Sequence, residues 1–207
     1  MIILCKICGK NTISLSIKGV NYEKCEHCGF LSKKDEFILS PSEEYNRYLL
    51  HDNDKSEGYF KYQEKFYFEI KNYLVNKVLD YGCGNNHMLV NVMEKYGLKS
   101  SYYDLYFYNN TNYEKDRYKA IILEEVIEHL KDPIEVLTHL YNLLETGGNF
   151  IIRTRFVSDE LNHDWWYLRD STHISFFSVK TFIFLCSIFN MKIIYCNDID
   201  VIILKKE

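Results

Sequence analysis

The sequence predicts an α/β fold: a doubly wound, mostly parallel sheet that closes with an antiparallel C-terminal hairpin and is preceded by a small cysteine-rich module. Three observations predict it. Two Cys-x-x-Cys pairs, "CKIC" and "CEHC", lie near the start of the chain. The stretch "KVLDYGCGNN" has the form of a short buried strand, a glycine turn and the start of a helix. The last segment, "MKIIYCNDIDVIILKK", has two apolar strands around a polar turn.

Length and composition limit the classes of protein that fit. The 207 residues allow one α/β domain with a small appendage. Apolar residues make up 47% and charged residues 26%, and the formal net charge of −4 gives no long-range attraction to nucleic acid. The longest apolar region, "TFIFLCSIFNMKIIYC", is interrupted by polar residues and is shorter than the roughly 20 residues that span a bilayer. Without a basic stretch and apolar run at the start, we expect no secretory signal, no membrane partner and a cytoplasmic protein.

The two cysteine pairs predict a metal site. Cys5 with Cys8 and Cys25 with Cys28 are each followed directly by a glycine, which lets the backbone fold tightly around a metal ion. Two such turns complete a tetrahedral sulfur site for Zn2+ that has no open position for catalysis. We therefore expect a zinc ribbon over residues 1–40 with a structural zinc; buried or redox-active cysteines are the alternative.

The next segment begins with a helix start signal. "SPSEE" offers Ser40 as N-cap, Pro41 at the first helical position and Glu43 to complete a capping box. We expect a helical lid or linker over residues 41–76 and the main domain over residues 77–207. Within the lid, Arg47 and His51 are four residues apart and share a helix face, for which simple surface decoration is the alternative.

The glycine turn indicates what the main domain binds. Gly82 and Gly84 are present, but the third glycine of a dinucleotide fingerprint is replaced by His87. An acidic residue, Asp80, ends the preceding strand, where it would repel a pyrophosphate. Asp104 ends the next strand, about twenty residues beyond the turn, where it can accept hydrogen bonds from ribose hydroxyls. This pattern favours a cofactor with an ammonium group and no phosphate, which describes S-adenosylmethionine.

The later elements complete the sheet. Only a short stretch separates Asp104 from the strand at Tyr118, so the third strand of the usual fold is expected to be short or absent. The strand "YKAIILEE" ends in Glu124 and Glu125, where doubly wound folds bind their ligands. A helix is expected from a cap at Asp132 to Gly147, with Glu135 completing a capping box, followed by the strand "NFIIRTR" and a helix capped by Ser178.

A long loop between the last parallel strand and the last helix is dense in aromatic and hydrogen-bonding side chains. We expect Trp165, Trp166, Tyr167 and Phe176 to wall an apolar or planar substrate. The alternative is that these aromatics close the core, which holds equally for Phe176 and Phe177. His173 is the candidate general base, because its unperturbed pKa lies near neutrality, and a structural histidine is the alternative. Arg169 and Asp170 are candidates to orient it or to grip the substrate. His129 is expected to cap or pack locally.

"VLDYGCG", Asp104, "AIILEEVIEHLKDPIEVLTHLYNLLETGGNFIIRTRF" and the closing strand pair resemble the class I S-adenosylmethionine-dependent methyltransferases, which have a Rossmann-like sheet. The whole chain, through "RYLLHDN" and "WWYLRDSTHISFF", is similar to small bacterial-type methyltransferase-domain proteins that begin with a zinc ribbon. The resemblance implies that Asp80, Gly82 and Gly84 hold the methionine end of the cofactor and Asp104 its ribose. It also places the aromatic loop at the transferred methyl group and the segment with Arg47, Tyr48 and His51 over the cofactor as a lid. Cofactor contacts are expected from Glu125, Tyr48 and His51, and a substrate contact from Arg47.

These features predict transfer of a methyl group from S-adenosylmethionine to an oxygen, nitrogen or carbon nucleophile on a small-molecule acceptor. The zinc is expected to support structure, and its loss to leave cofactor affinity intact. Two alternatives remain. One is a ribosomal RNA base methyltransferase that contacts RNA through the lysines of the ribbon: Lys6, Lys10, Lys18, Lys24, Lys33 and Lys34. The other is a catalytically silent zinc-binding adaptor, in which the ribbon binds a protein partner.

Overall fold

The computed structural model describes residues 3–50, 56–158 and 161–207, and within them the strands form two sheets. The strands are β1 Ile13–Ile17, β2 Val20–Lys24, β3 Leu31–Lys33, β4 Val78–Tyr81, β5 Ser100–Tyr103, β6 Tyr118–Glu124, β7 Leu144–Arg153, β8 Ser175–Phe176, β9 Met191–Cys196 and β10 Val201–Lys206. The helices are α1 Pro41–Leu50, α2 Glu57–Ile70, α3 Met88–Lys95, α4 Pro133–Leu143 and α5 Val179–Phe189. None of these helices has the length and apolar composition needed to cross a bilayer.

The larger sheet has six strands in the order β5-β4-β6-β7-β10-β9. Strands β5, β4, β6 and β7 are parallel, and β10 runs antiparallel to both of its neighbours. The fold class predicted from the sequence, including the closing hairpin, is confirmed. The centre of β6, "AIIL", is fully buried, as expected for a parallel strand that is covered on both faces. Helices α2 and α3 cover one face and α4 and α5 the other.

The sheet lacks a third parallel strand beyond β5 in the described residues. Between Asp104 and Tyr118 the chain makes a tight turn that pairs Asp104 with Tyr108, and then a 3-10 helix, Thr111–Lys115. The expectation from the short spacing is therefore confirmed, and β5 is the edge of the sheet.

Helix α4 differs from the prediction. It begins at Pro133 as expected, but the Asp132 side chain makes no capping hydrogen bond, and the helix ends at Leu143 rather than at Gly147. Leu144 is almost fully buried and pairs with Tyr118, so β7 begins immediately after the helix. Gly147, with φ of 78°, lies inside this strand, where the register against β6 shifts. Packing of Leu144 therefore outweighs the helix signals of the following residues.

Helix α3 is also shorter at its start than expected. The stretch "KVLDYGCGNN" predicts that the helix starts at its end, whereas His87 has a left-handed conformation and the helix begins at Met88. In contrast, Ser40 with Glu43 forms the predicted capping box: the Ser40 amide donates to the Glu43 carboxylate at 2.8 Å. Ser178 caps α5 with Thr181 as its partner.

The smaller sheet joins the cysteine-rich module to the main domain. Strands β1, β2 and β3 are continued by β8, which lies in the long loop before α5. Cys25, Cys28 and Phe30 belong to the same apolar core as residues of the large sheet, and the Phe30 and Phe177 rings lie 5.1 Å apart. The ribbon therefore packs as part of one body with the main domain, which changes the expectation that the two modules act separately.

Candidate functional site

The glycine turn after β4 has the backbone that the sequence predicts. Gly82 has φ of 89°, and a Cβ atom at this position would lie 2.3 Å from Cγ2 of Val126, so both its conformation and its surroundings require glycine. Gly84 has φ of 68°, but a Cβ atom there would meet nothing within 4 Å. The two glycines are therefore required for different reasons.

His87 occupies the place of the missing third glycine and keeps a glycine-like conformation, with φ of 39°. Its ring stacks on Tyr102 at 5.1 Å, and its Nδ1 atom lies 2.9 Å from the Tyr108 hydroxyl. Tyr102 belongs to β5, the edge strand of the sheet, and Tyr108 lies in the turn that follows it. The histidine thus packs against the edge that a further strand would otherwise cover.

The amide groups of the turn are already used within the protein. Gly82 and Cys83 donate to the Tyr103 carbonyl at 2.7 and 3.0 Å, and Gly84 donates to Oδ2 of Asp104 at 3.0 Å. Oδ1 of Asp104 accepts from the amides of Tyr106 and Phe107. A pyrophosphate site needs such amides to point at the ligand, so this turn does not present the phosphate cradle of a dinucleotide site.

A cavity of about 750 Å³ opens above the turn, at the carboxyl ends of β4, β5 and β6. Ligands of doubly wound folds bind at this edge of the sheet. Carboxylates from three neighbouring strands line it: Asp80, Asp104, Glu124 and Glu125. The cavity therefore has an acidic floor, which suits a ligand with positive charge.

The electrostatics of the floor are those of crowded, buried carboxylates. Burial raises the pKa of Asp80 well above its usual range, and the charges of Glu124 and Asp104 raise it further. Burial also raises the pKa of Glu124 to about 7, although Arg153 opposes the shift. The Glu124 carboxylate accepts from Nε2 of Gln63 and from Nη1 of Arg153, both at 3.1 Å. A cation in the cavity would lower both pKa values and so would bind with release of protons.

A second cluster of polar side chains lies next to the floor, around Tyr167 of the long loop. The Tyr167 hydroxyl donates to Oε1 of Glu128, lies 3.2 Å from Oε2 of Glu125 and lies 3.1 Å from the Thr154 hydroxyl. Burial and the charge of Glu125 raise the pKa of Glu128 well above its usual range, and burial also raises the pKa of Glu125. Two histidines, His129 and His173, lie beside Glu128 with ring centroids 4.9 Å apart, and both line the cavity.

Helix α1 covers one side of the cavity opening. None of its residues is buried, and it contacts the rest of the protein through polar groups and through the rings of Tyr45 and Tyr48, which pack against Tyr106. The Glu44 carboxylate accepts from the hydroxyls of Tyr48 at 2.9 Å and Tyr106 at 2.7 Å, and all three residues line the cavity. Arg47 forms an ion pair with Asp170 at 3.4 Å. These contacts tie α1 to the turn after β5 and to the long loop.

The structure brings many of the residues predicted from the sequence to this one cavity. The predicted residues that line it are Tyr48, Asp80, Gly82, Gly84, Asp104, Glu125, Trp166 and His173. His51 lies outside the described residues.

Five other candidates lie away from the cavity wall. Trp165 packs with Tyr167 and Phe176 in an apolar cluster, and Tyr167 is only 1% exposed, which is the core-closing arrangement given above as the alternative. Arg169 is exposed and donates to the Asp164 carbonyl rather than to His173. Asp170 is held by the amide and hydroxyl of Thr172, which lower its pKa to about 2 although burial opposes the shift. Arg47 reaches Asp170 at the rim.

Sequence reasoning missed several residues of the site. Glu44 and Tyr106 carry no motif, and their meeting depends on how α1 lies across the turn after β5. Gln63 and Tyr62 come from the aromatic helix α2, where Arg153 lies 4.5 Å above the Tyr62 ring. For Glu124, the available signal was the pair of adjacent glutamates at the end of β6. The sequence does not show that Glu124 is the one that hydrogen-bonds to Gln63 and Arg153.

The four cysteines of the ribbon meet at one point. Their sulfur atoms lie within 4.8 Å of one another, with Cys5 and Cys28 at 3.6 Å and Cys8 and Cys25 at 3.4 Å. A tetrahedral Zn–S site with bonds of about 2.3 Å separates its sulfurs by about 3.8 Å, so the cluster fits zinc. Gly9 and Gly29 have φ of 66° and 75°, and each donates its amide to the carbonyl of the first cysteine of its pair. The hydrogen bond between Cys5 and Cys28 lowers the pKa of Cys5 to about 5 and raises that of Cys28.

Solved structures with a similar fold include several methyltransferases. An S-adenosylmethionine-dependent methyltransferase from Archaeoglobus fulgidus has a TM-score of 0.56 and 15% identity, over 77% of this chain and 99% of that chain. An O-methyltransferase family protein from Burkholderia thailandensis has a TM-score of 0.52 and 10% identity, over 79% of this chain and 63% of that chain. DesVI from Streptomyces venezuelae has a TM-score of 0.52 and 10% identity, over 82% of this chain and 99% of that chain. At such identities the likeness establishes the fold.

No curated protein matches the sequence. A family profile described as a methyltransferase domain matches residues 42–195, which include the glycine turn, the acidic floor and the long loop. The match covers well over half of the chain, and the sheet order, the turn and the position of the cavity agree with it. The chain belongs to the methyltransferase domain family.

Proposed function

We propose that the protein transfers a methyl group from S-adenosylmethionine to a small-molecule acceptor. The acidic floor carries the proposal, because Asp80, Asp104 and Glu124 surround a cavity whose turn amides are not available to a phosphate. S-adenosylmethionine has a sulfonium and an ammonium group and no phosphate. Family membership supports the same cofactor.

Each part of the cofactor has partners of suitable chemistry in the cavity. The ammonium and sulfonium groups fit beside Asp80 and Glu124, which the strand ends hold within the floor. The ribose hydroxyls fit against Asp104, whose carboxylate is oriented by three backbone amides. Apolar side chains next to Asp104 offer a wall for the adenine: Leu105, Phe107 and Val126. Tyr48 on α1 fits as a lid residue.

The acceptor fits at the other end of the cavity, where the long loop and α1 meet. Trp166, Tyr48 and His173 line this end, and Trp166 is 56% exposed, so that an aromatic face remains available to a ligand. A cavity of about 750 Å³ is in the range of small-molecule sites, which hold a cofactor and a compact acceptor. Alignment of the two reactants within it would supply most of the rate enhancement.

The ribbon gives less support to an RNA acceptor. Lys6, Lys18 and Lys34 form ion pairs with Asp35, Asp164 and Glu23. Lys33 is buried and donates to the Ser171 carbonyl at 3.0 Å. Most of the lysines that were candidates for phosphate contacts therefore interact with groups of the protein itself, so we prefer the small-molecule acceptor.

Methyl transfer to fractionated cell extract tests the proposal. The extract is divided into metabolites, RNA and protein, and each fraction is incubated with cofactor that carries a labelled methyl group. We expect label in the metabolite fraction with the wild-type protein and none with Asp104→Asn, while Asp132→Asn, an exposed carboxylate outside the cavity, retains transfer. Label in RNA would support the alternative acceptor. No label in any fraction, from protein that binds the cofactor, would support a silent adaptor.

A further inference from the structure

A second cluster of metal-ligand side chains lies at the acceptor end of the cavity, away from the cysteine site. One carboxylate oxygen of Glu128 and one ring nitrogen each of His129 and His173 lie within 4.8 Å of one another. Both histidines line the cavity, and Glu128 is fully buried beside them. We propose that these three residues bind a divalent transition-metal ion that holds the oxygen atom of the methyl acceptor.

The backbone orients both histidines as ligands. Nδ1 of His129 lies 3.0 Å from the Thr172 carbonyl, and Nδ1 of His173 lies 2.9 Å from the Tyr167 carbonyl. A carbonyl only accepts, so each Nδ1 carries the proton and each Nε2 carries the lone pair. Metal-binding histidines have this arrangement, in which a hydrogen bond to the backbone fixes the tautomer and the ring direction.

The surroundings of Glu128 are a second observation that points to a cation at this site. It is 0% exposed, and its Oε1 atom accepts from the Tyr167 hydroxyl. Its Oε2 atom is buried and makes no hydrogen bond of ordinary geometry among the described residues, and the neighbouring acidic group is the carboxyl of Glu125. A buried carboxylate oxygen without a partner is costly, and a cation next to it would remove that cost.

The donor set selects the kind of metal. Two imidazoles and one carboxylate with open positions suit first-row divalent ions such as Mn2+, Fe2+, Co2+ and Zn2+. Ligands about 2.1 Å from such an ion lie roughly 3 to 3.5 Å apart, so the three atoms need to move together by about an ångström or two. Small shifts of the three side chains that keep both Nδ1 hydrogen bonds would bring the ligand atoms together. The four sulfurs of the ribbon, by contrast, suit zinc.

The metal site narrows the substrate class, and this step rests on the proposed function. The acceptor would be an alcohol or phenol whose hydroxyl oxygen binds the ion, which lowers its pKa. The hydroxyl proton leaves to water in the open cavity, and a lone pair of the oxygen forms the new O–CH3 bond. The S–CH3 bond breaks, its electron pair stays on sulfur, and the sulfonium becomes a neutral thioether. The ion keeps its oxidation state throughout, and His173 acts as a ligand instead of a general base.

Manganese binding tests the site separately from methyl transfer. Mn2+ prefers oxygen and nitrogen ligands and does not displace zinc from four thiolates, so its binding is independent of the ribbon. Loss of Mn2+ binding in the histidine variants distinguishes this cluster from the acidic floor. Protein with zinc in the ribbon is titrated with Mn2+, and the free ion is measured by electron paramagnetic resonance. The variants are His129→Asn, His173→Asn and Glu128→Gln, with His139→Asn, a histidine on the surface of α4, as the matched control.

We expect the wild-type and His139→Asn proteins to bind one Mn2+ per chain, and each of the three ligand variants to lose affinity by at least about tenfold. Zinc content and the binding of S-adenosylhomocysteine should stay unchanged in all of them, which separates loss of the metal from misfolding. No Mn2+ uptake by the wild-type protein, or equal uptake by the ligand variants that keep their zinc, would overturn the proposal. If the wild-type protein binds Mn2+ but not S-adenosylhomocysteine, the metal site stands and the proposed cofactor fails.

Discussion

Individual residues at the glycine turn have distinct physical roles. Gly82 has a left-handed backbone and touches Val126, whereas Gly84 has a left-handed backbone and open space around it. His87 shows that a side chain is tolerated in this backbone region where neighbouring aromatic rings support it. Alanine at Gly84 therefore reports the free-energy cost of the backbone conformation alone. Alanine at Gly82 reports that cost together with the clash against Val126.

Gly82→Ala should destabilise the fold more than Gly84→Ala. The conformational cost of a left-handed alanine is about 1 to 2 kcal/mol at either position. At Gly82 the added methyl group also overlaps Val126, which adds about 1 to 3 kcal/mol. Urea unfolding of the two variants measures the difference, and equal losses of unfolding free energy would show that Val126 moves aside freely.

The pKa of Glu124 predicts how stability depends on pH. Its pKa rises from 4.5 in the unfolded chain to about 7 in the fold, because it is buried beside other carboxylates. A carboxyl group with a raised pKa contributes stability that is complete below pH 4.5 and is lost as the pH rises through about 7. The melting temperature of the ligand-free protein should thus fall between pH 6 and pH 8 more than that of Glu124→Gln. Parallel curves for the two proteins would mean that Glu124 titrates near its usual pKa.

At the scale of elements, α1 is held in position by a few polar contacts and by ring contacts of Tyr45 and Tyr48 with Tyr106. Glu44 is one of its anchors: the carboxylate accepts from a tyrosine of its own helix and from Tyr106 beyond β5. Because none of its residues is buried, the helix contributes little to the core. It is therefore suited to act as a lid on the cofactor.

Glu44→Gln should weaken cofactor binding without changing the stability of the fold. The amide can accept only one of the two hydroxyl hydrogen bonds, each worth about 1 kcal/mol, so we expect a several-fold loss of affinity for S-adenosylhomocysteine. Calorimetry measures the affinity and thermal unfolding the stability. Glu57→Gln, which removes an exposed ion pair on α2, is the control. An unchanged affinity in Glu44→Gln would exclude a lid role for α1.

The elements also show what the sequence can and cannot predict. Strand β4, its glycine turn and the cap of α5 follow from local signals: buried apolar runs, positive φ at glycine and a Ser-Thr capping box. The predicted end of α4 was wrong, because the helix stops where Leu144 is buried and pairs with Tyr118. That pairing is a tertiary effect with no local sequence signal. Tyr167 was expected to face a substrate, but its hydroxyl donates to Oε1 of the buried Glu128, a partner thirty-nine residues away. Pairings of this kind between distant segments carry no local pattern.

At the scale of the whole molecule, backbone hydrogen bonds connect the ribbon to the long loop before α5. The Lys33 amide in β3 donates to the Ile174 carbonyl, and the Ile174 amide donates to the Glu128 carbonyl, both at 2.8 Å. Strand β8 then pairs with β3. The cysteine site thus supports the segment that carries His173, although it lies outside the cavity.

Cys25→Ser should therefore disturb more than the first forty residues. Loss of the metal should lower the melting temperature and speed amide exchange both in β1 to β3 and in residues 171–177, because the β3–β8 pairing weakens. Methyl transfer should fall further than cofactor affinity, since the acidic floor belongs to the other sheet. Hydrogen exchange with mass spectrometry measures this, with Cys196→Ser as control. Unchanged amide exchange in residues 171–177 would show that the ribbon and the main domain act as separate modules.

The proposal that the acidic floor binds a cationic cofactor is tested most directly by calorimetry with S-adenosylhomocysteine. The proteins compared are the wild type, Asp80→Asn and the exposed control Asp132→Asn. The wild-type and Asp132→Asn proteins should bind one molecule per chain with equal affinity. Asp80→Asn should lose at least about tenfold, because a buried carboxylate paired with the ligand ammonium is worth more than about 1.4 kcal/mol. No binding by the wild-type protein, or equal binding by Asp80→Asn, would contradict the assignment of this cavity to S-adenosylmethionine.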